Sequence, residues 1–260
     1  MKRVIAAIMI LVMALSMSGC KISYWDGLSK SEAKELVLNM LEEKYGEEFV
    51  VKKLYTQGGT GSWNTPSNLI AYCSPKSDEK IVFYTKSFVV GKEYPMIDTY
   101  IQSIVGKAMK EIIEISLSNH FNKFVVEVEV YENSLESLYD SKIQSSAEAT
   151  IENYTNAFPD NRSSVWIVFD EDEFNCNFDN LNEYIEDFVK DFGLTNCYID
   201  CYFVSSDIIN QCREKINSCH NEDGYRITND MEITLSKQRP SYMFSYDGSK
   251  RDLQLYKIVE

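Results

Sequence analysis

Apolar residues at helical spacing follow Ser29 and identify the first helix. Ser29 and Glu32 have the S-x-x-E spacing of a capping box, in which each side chain binds the other residue's backbone N–H. Gly46 stands where a left-handed residue often ends a helix. The apolar face between these two signals consists of Ala33, Leu36, Val37, Met40 and Leu41.

Short apolar runs and one long periodic segment complete the first half of the chain. Phe124 to Tyr131 alternates valine with glutamate, which is typical of a half-exposed strand in an antiparallel sheet. The stretch from Gln57 to Pro66 is rich in Gly, Ser, Asn and Thr and predicts a loop. We predict strands over 49–55, 69–73, 81–87 and 124–131, and a long helix over 96–119.

The second half mixes helical and strand patterns in a similar way. Gly193 follows an acidic amphipathic run and predicts its end, and Asp247-Gly248 is a strong turn signal for a hairpin. We predict helices over 147–158, 181–192 and 206–219, and strands over 165–169, 197–204, 231–235, 242–246 and 253–259.

The order of these elements predicts an α+β fold. A helix and three strands precede a second helix and a strand, and the simplest packing places helices on one face of an antiparallel sheet. The polar stretch 135–146 then separates two groups of elements. We therefore expect two small α+β units, residues 29–133 and 146–260.

An apolar block precedes all of these elements. From Val4 to Met17 every residue except Ser16 is apolar, and Lys2 and Arg3 provide a basic start. The block is too short for a bilayer, which requires about 20 residues of helix. It matches the apolar region of a signal peptide, about 7–15 residues behind a basic start. We therefore expect residues 1–19 to be an export signal.

The end of this block points to lipid attachment. The run from Leu15 to Cys20, with the small residues Ser18 and Gly19, resembles a bacterial lipobox. The resemblance implies cleavage before Cys20 and acylation of its thiol with a diacylglycerol whose chains are fatty acids such as palmitate. Two or three acyl chains hold a protein firmly on a membrane. We expect a lipidated tether over 20–28; the alternative is an ordinary signal peptide with a cysteine there by chance.

A second resemblance extends beyond the lipobox. The run LEEKYGEEFVV at 41–51 resembles one found in uncharacterised lipobox-containing lipoproteins of low-GC Gram-positive bacteria. The similarity covers the region from Cys20 to Tyr131. It implies a lipid-anchored protein on the extracytoplasmic face of the cell membrane and an α+β fold, and it carries no activity, cofactor or catalytic residue.

The charge of the chain restricts its partners. The formal net charge is −14, and it becomes −16 when residues 1–19, with two basic and no acidic residues, are removed. An acidic surface is repelled by nucleic acid and by anionic headgroups. We therefore expect no nucleic-acid partner, and a body that stands off the membrane instead of lying on it.

Six cysteines remain after Cys20, and their state is open. Outside the cytosol an even number of cysteines permits disulfides, while buried free thiols behave as small apolar residues. A zinc site near His220 is a third alternative, although structural zinc sites generally use tight C-x2-4-C knuckles in loops. No pairing is predicted for these residues: Cys73, Cys176, Cys197, Cys201, Cys212 and Cys219.

The other candidates for chemistry have plainer structural explanations. His120 follows a predicted helix end, where a cation is favoured, and its pairing with Cys73 rests on spacing alone. The acidic run 170–173 lacks the central glycine of a calcium loop and is expected to be a solvated turn. The glycines at 58–61 lack the Lys-Ser/Thr of a phosphate loop, and Trp63 beside them is a candidate for a binding surface.

These observations favour a non-enzymatic binding or interaction module. We expect no catalytic residue, cofactor or metal site, and a protein, peptide or envelope component as the partner. The first alternative is a cell-surface hydrolase or thiol enzyme that uses Cys73 or the cysteine-rich second half. The second is a solute-binding lipoprotein of a transporter, but such proteins have two lobes on parallel sheets.

Overall fold

The structure is a computed structural model that describes residues 24–58, 68–131, 142–159, 162–173, 185, 197–222, 242–247 and 252–256. Its helices within these residues are α1 (Lys30–Tyr45), α2 (Tyr100–Ser118), α3 (Ile151–Ala157) and α4 (Ser206–Glu222), with a 3-10 turn at Ser146–Glu148. Its strands are β1 (Phe49–Gln57), β2 (Asn68–Pro75), β3 (Phe83–Ser87), β4 (Met96–Asp98), β5 (Phe124–Tyr131), β6 (Arg162–Asp170), β7 (Cys197–Val204), β8 (Tyr242–Asp247) and β9 (Asp252–Tyr256).

The strands form two sheets. The first has the order β1-β2-β3-β4 and is antiparallel throughout. The second has the order β5-β6-β7-β8-β9, in which β6 and β7 are parallel and the other neighbours antiparallel. Helices thus accompany two sheets dominated by antiparallel pairs, and the predicted α+β class is confirmed.

The first helix begins and ends where its sequence signals place the boundaries. The Ser29 hydroxyl accepts a hydrogen bond from the Glu32 N–H at 3.3 Å, and the Glu32 carboxylate accepts one from the Ser29 N–H at 2.7 Å. Gly46 adopts a left-handed φ of 69° and its N–H binds the carbonyl of Glu42. A capping box provides acceptors for two backbone N–H groups that have no partner within the helix, and it therefore stabilises the start of α1.

The first core lies between α1, the first half of α2 and one face of the first sheet. Its aromatic centre places Phe49 and Phe83 around Tyr100, with ring centroids 5.1 and 4.8 Å from that of Tyr100. Tyr154 of α3 is buried in the same core. Helix α1 and the first half of α2 therefore cover the same face of the first sheet.

The second sheet is covered on both faces. Ile113 and Leu117 of α2 pack on one face, where they form the second core with that face of the sheet, and Ile209 and Cys212 of α4 pack on the other face. Strand β6 is buried from Val165 to its end, which accounts for its continuous apolar sequence.

Three elements differ from the sequence-based expectation. Strand β5, expected to close the first unit, pairs with β6 in the second sheet, and its far end reaches the first core through Val128 and Val130. Segment 142–159, in part expected in the second unit, packs on the first core. Met96–Asp98, expected to begin the long helix, pairs as a strand with β3. The division of the chain into two domains stays a prediction.

Several predicted elements lie outside the described residues. These are the export signal, the loop with Trp63, most of the helix over 181–192, and the strand over 231–235. Strands β8 and β9 form the antiparallel pair expected around Asp247-Gly248. Among the described helices, none combines the length and apolar character needed to cross a bilayer.

Replacing Ser29 with alanine should lower the free energy of unfolding by about 1 kcal/mol, because loss of an N-cap hydroxyl leaves a helix donor without its partner. For a chain of this size the midpoint of thermal unfolding should fall by about 3 °C. Urea and thermal denaturation followed by circular dichroism measure both quantities.

Ser31→Ala is the matched control, because Ser31 is exposed inside the same helix and alanine favours helix formation. The control should keep or slightly raise the unfolding midpoint. Equal losses in the two variants would contradict the assigned cap.

Candidate functional site

Tyr24 and Trp25, the first described residues, are held in the fold. The Tyr24 hydroxyl donates to the carbonyl of Leu54 at 2.9 Å, and Trp25 is only 2% exposed. A turn with positive φ at Asp26 and Gly27 connects Trp25 to Leu28, which are paired by a β-bridge. Cys20 lies outside the described residues. Residues 24–28, here called the N-terminal turn, belong to the folded body, which shortens the expected tether.

The N-terminal turn is held by the loop between β3 and β4. The ring of Tyr94 lies 5.2 Å from that of Trp25, and its hydroxyl donates to the Asp26 carboxylate at 2.9 Å. This hydrogen bond raises the pKa of Tyr94. The turn is therefore attached to the first sheet by an apolar contact, a ring contact and two hydrogen bonds.

A row of tyrosines lies on the face of the first sheet that points away from the first core. Strand register places Lys53, Tyr72 and Tyr84 side by side, and Tyr55 beside Ile70. We call Tyr55, Tyr72 and Tyr84 the tyrosine face. Tyr72 is buried, whereas Tyr55 and Tyr84 are half-buried and Lys53 is exposed.

The tyrosine face carries stacked rings and polar groups together. The rings of Tyr55 and Tyr72 stack with centroids 6.1 Å apart, and their hydroxyls are 3.5 Å apart. The Lys53 ammonium lies 5.9 Å from the centroid of the Tyr55 ring. Tyrosine presents a rigid apolar ring with a polar tip, a combination that is enriched at protein interfaces.

A β-bulge produces this arrangement. The register of β1 against β2 shifts between Val51 and Lys53, so that Val51 lies on the core side opposite Cys73 and Lys53 lies on the other side opposite Tyr72. Strict alternation would place Val51, Lys53 and Tyr55 on one face. The tyrosine face was not predicted from the sequence, because the bulge has no recognisable local sequence signal.

The four described cysteines are buried free thiols. Burial raises the pKa of Cys197 to about 12, and it also raises those of Cys201 and Cys212. Burial, reinforced by the negative charge of Asp98, raises the pKa of Cys73. Because the thiolate is the nucleophile, these environments suppress reactivity. Cys176 and Cys219 lie outside the residues whose side chains are described.

The structure separates the histidine and cysteine candidates. Cys73 belongs to the first core. His120 follows the end of α2 and its ring lies 6.5 Å from that of Phe121, which packs on the second core. The proposed Cys73–His120 pair is therefore not brought together. The side chain of His220 lies outside the described part of the molecule.

The acidic run at the end of β6 is a bonded network and not a solvated turn, which corrects the expectation for its first and last residues. Asp170 is buried, and its carboxylate accepts hydrogen bonds from the Lys123 ammonium at 3.2 Å, the Asp172 N–H at 3.1 Å and the Ser206 hydroxyl. The Glu173 carboxylate accepts bonds from the N–H groups of Asn122 and Lys123 at 2.9 and 3.0 Å.

The charge state of Asp170 follows from this network. Burial opposes its ionisation, but the bonds from Ser206, the Asp172 amide and Lys123 outweigh burial and hold the pKa of the carboxyl below its usual range. No group of three or more His, Cys, Asp or Glu within the described ranges is arranged to hold a metal ion. The network joins β5, β6 and the start of α4, so its evident role is to fix those elements.

A second buried carboxylate, at Asp98, was missed because its segment was predicted as helix. Its oxygens accept hydrogen bonds from the Lys44 ammonium and the Tyr45 hydroxyl, both at 2.7 Å, and from the Tyr100 N–H at 3.1 Å. Asp98 thus connects the last turn of α1 with the first turn of α2. Three donors satisfy this buried charge within the protein.

Comparison with known proteins relates the fold to one solved structure. The chain is similar to a DUF5037 family protein from Ruminococcus gnavus ATCC 29149, with a TM-score of 0.56 and 14% sequence identity over 85% of this chain and 94% of that chain. At this identity the likeness concerns the fold alone. No family model and no curated protein matches the sequence.

Replacing Asp170 with asparagine should lower the free energy of unfolding at neutral pH by about 1–3 kcal/mol, because the buried charge is lost and one of the two acceptor oxygens is replaced by an NH2 donor. The depressed pKa means that the carboxylate stabilises the fold fully above its unfolded pKa of about 3.9. That contribution disappears as the pH falls through the folded pKa.

Urea unfolding at neutral and acidic pH measures this difference. The wild-type protein and the variant should converge in stability in acid. Asp172→Asn is the matched control, because Asp172 is exposed and makes its contact through the backbone, and its stability should equal that of the wild type. A gap that persists unchanged in acid would contradict the charge assignment.

Proposed function

We propose that the protein is a lipoprotein anchored through Cys20 on the extracytoplasmic face of the cell membrane, and that its α+β body is a non-enzymatic binding module. The partner is a protein, a peptide or an envelope component that contacts the tyrosine face. The N-terminal turn carries the first part of this proposal, and the tyrosine face supports the second.

The N-terminal turn supports cleavage and acylation at Cys20. Removal of residues 1–19 leaves intact every described contact that begins at Tyr24, including the burial of Trp25. Only Lys21, Ile22 and Ser23 separate Cys20 from Tyr24, the first described residue. A mature chain that starts at Cys20 therefore keeps the whole described body and carries its lipid close to it.

The tyrosine face supports a binding role. Rigid aromatic side chains offer contact area at a low cost in conformational entropy, and tyrosine is prominent among residues that dominate interface energetics. The exposed Lys53 beside Tyr55 adds a positive charge to a chain that is acidic as a whole. This local charge favours a partner with acceptor oxygens, such as a carboxylate-bearing peptide or an envelope polymer.

The two alternatives receive less support. A thiol enzyme needs an accessible thiolate, whereas Cys73, Cys197, Cys201 and Cys212 are buried with raised pKa values. A solute-binding lipoprotein of the common kind has two lobes on parallel sheets. Among the strand pairs that the structure describes, β6 with β7 is the parallel one.

Replacing Cys20 with serine should abolish lipid attachment, because the hydroxyl of serine does not substitute for the thiol that receives the diacylglycerol. The variant should retain its unprocessed N-terminus, whereas the native protein should begin at an acylated Cys20. Mass spectrometry of the N-terminal peptide from purified full-length protein measures the difference.

Cys176→Ser makes the same chemical change elsewhere and should leave the acylated N-terminus unaffected. A native protein with an intact N-terminus, or one trimmed at Cys20 without fatty acid, would overturn the anchor.

A photo-reactive phenylalanine analogue at position 55 should form a reproducible cross-link to one partner in intact cells. Tyr84→Ala should weaken that partner's affinity about tenfold, because truncation of an interface hot-spot residue costs about 1–2 kcal/mol. Cross-link yield and titration of the recovered partner measure the two effects.

Position 198 is the matched control, because Tyr198 is also a strand tyrosine, 38% exposed, but belongs to the second sheet. Identical cross-links at positions 55 and 198, or none at position 55, would contradict the tyrosine face as the binding surface.

A further inference from the structure

The distance between the lipid site and the folded body is strictly limited. Four peptide steps join Cys20 to Tyr24, and a fully extended chain advances at most about 3.3–3.6 Å per residue. The two Cα atoms are therefore no more than about 14 Å apart, whatever conformation the connecting residues adopt. A lipid on Cys20 thus places the N-terminal turn beside the headgroup layer.

One apolar hairpin lies next to the N-terminal turn. The N–H groups of Val90 and Glu93 each bind the other residue's carbonyl at 3.0 Å, and Gly91 takes a φ of 67° in the two-residue turn between them. Glu93 is followed directly by Tyr94, whose ring packs on Trp25. The tip of this hairpin, residues 88–95, is thereby held beside the point where the chain leaves toward Cys20.

The tip of the 88–95 hairpin exposes an apolar side chain. Val89 and Tyr94 pack on the first core, whereas Val90 between them is 59% exposed. A single exposed valine has no special meaning by itself. The position of Val90 is informative here, because the hairpin lies beside the N-terminal turn, which the short connection keeps close to Cys20.

The charges around the hairpin also differ from those of the whole chain. Lys92 is exposed in the turn, the Lys86 ammonium lies 5.0 Å from the Phe88 ring centroid, and Lys30 lies 5.8 Å from that of Tyr24. The carboxylates beside these lysines are Asp26, which accepts a hydrogen bond from Tyr94, Glu93, and Glu32 in the first turn of α1. Lysines and carboxylates are thus balanced here, although the formal charge of the chain is −14.

We propose that the N-terminal turn and the 88–95 hairpin form a membrane-contacting surface, with Val90 inserted among the lipid headgroups of the leaflet that holds Cys20. This inference rests on the proposed lipid anchor. The rest of the acidic body is repelled by an anionic surface within a Debye length of about 8–10 Å, which turns this less acidic surface toward the lipid. The body therefore lies against the membrane in one orientation. The net charge alone had predicted that the body would be held away from the membrane surface.

The test uses the mature acylated protein, which begins at Cys20, in vesicles of phosphatidylcholine and phosphatidylglycerol. Val90→Cys is labelled with an environment-sensitive fluorophore in a background where Cys176 and Cys219 are serine, since the four described native thiols are buried. We expect a blue shift of emission and a loss of fluorescence when spin-labelled lipids are included. Lys92→Cys, at the other side of the tip, provides a second label position and should be quenched as well.

Ile115→Cys is the matched control, because Ile115 is an exposed apolar residue, 67% accessible, on the half of α2 that packs against the second sheet. Its label should keep an aqueous spectrum and resist quenching. Equal and weak quenching at positions 90, 92 and 115 in protein that sediments with vesicles would overturn the membrane-contacting surface alone. Natively produced protein that carries no lipid on Cys20 would overturn the anchor and this surface together.

Discussion

Helix α2 buries one end against the first sheet and the other end against the second, and both cores depend on it. Its 19 residues extend about 28 Å, with Val105 and Met109 in the first core and Ile113 and Leu117 in the second. Burial of each such side chain contributes about 1.5–3 kcal/mol. At Gly106 an added Cβ would stand 3.4 Å from the carbonyl oxygen of Val128, which shows how closely the helix approaches β5. The two sheets are consequently coupled through one rigid element.

Local signals predicted the parts of the fold that local interactions determine. The capping box at Ser29, the end at Gly46 and the strand over 197–204 match the structure because a few neighbouring residues decide them. The partner of β5 depends on contacts with β6, more than 30 residues away, and alternation of valine and glutamate does not specify it. Segment Met96–Asp98 was predicted as helix because its apolar residues continue the spacing of α2, although its backbone pairs with β3.

Less of the candidate site than of the fold could be predicted from the sequence. The sequence left disulfides, free thiols and a zinc site open for the six cysteines, and the burial that makes the four described cysteines inert free thiols is not visible in it. The tyrosine face arises from a bulge that shifts Lys53 and Tyr55 relative to Val51, and such a shift depends on how β1 lies against β2. The proposed contact with the membrane likewise depends on knowing that Trp25 is buried, because a flexible tether of the same length would leave the body free to reorient.

The four buried thiols have a consequence for folding at the proposed extracytoplasmic location. Cys73, Cys197, Cys201 and Cys212 pack as reduced side chains, so these four positions require no oxidoreductase or isomerase during folding. At the proposed location the unfolded chain would expose the same thiols to an oxidising compartment, where mispairing or further oxidation would prevent their burial in an apolar core. Rapid folding around these four thiols therefore protects them from oxidation as well as stabilising the protein. Prolonged unfolding would expose them to oxidation that prevents refolding.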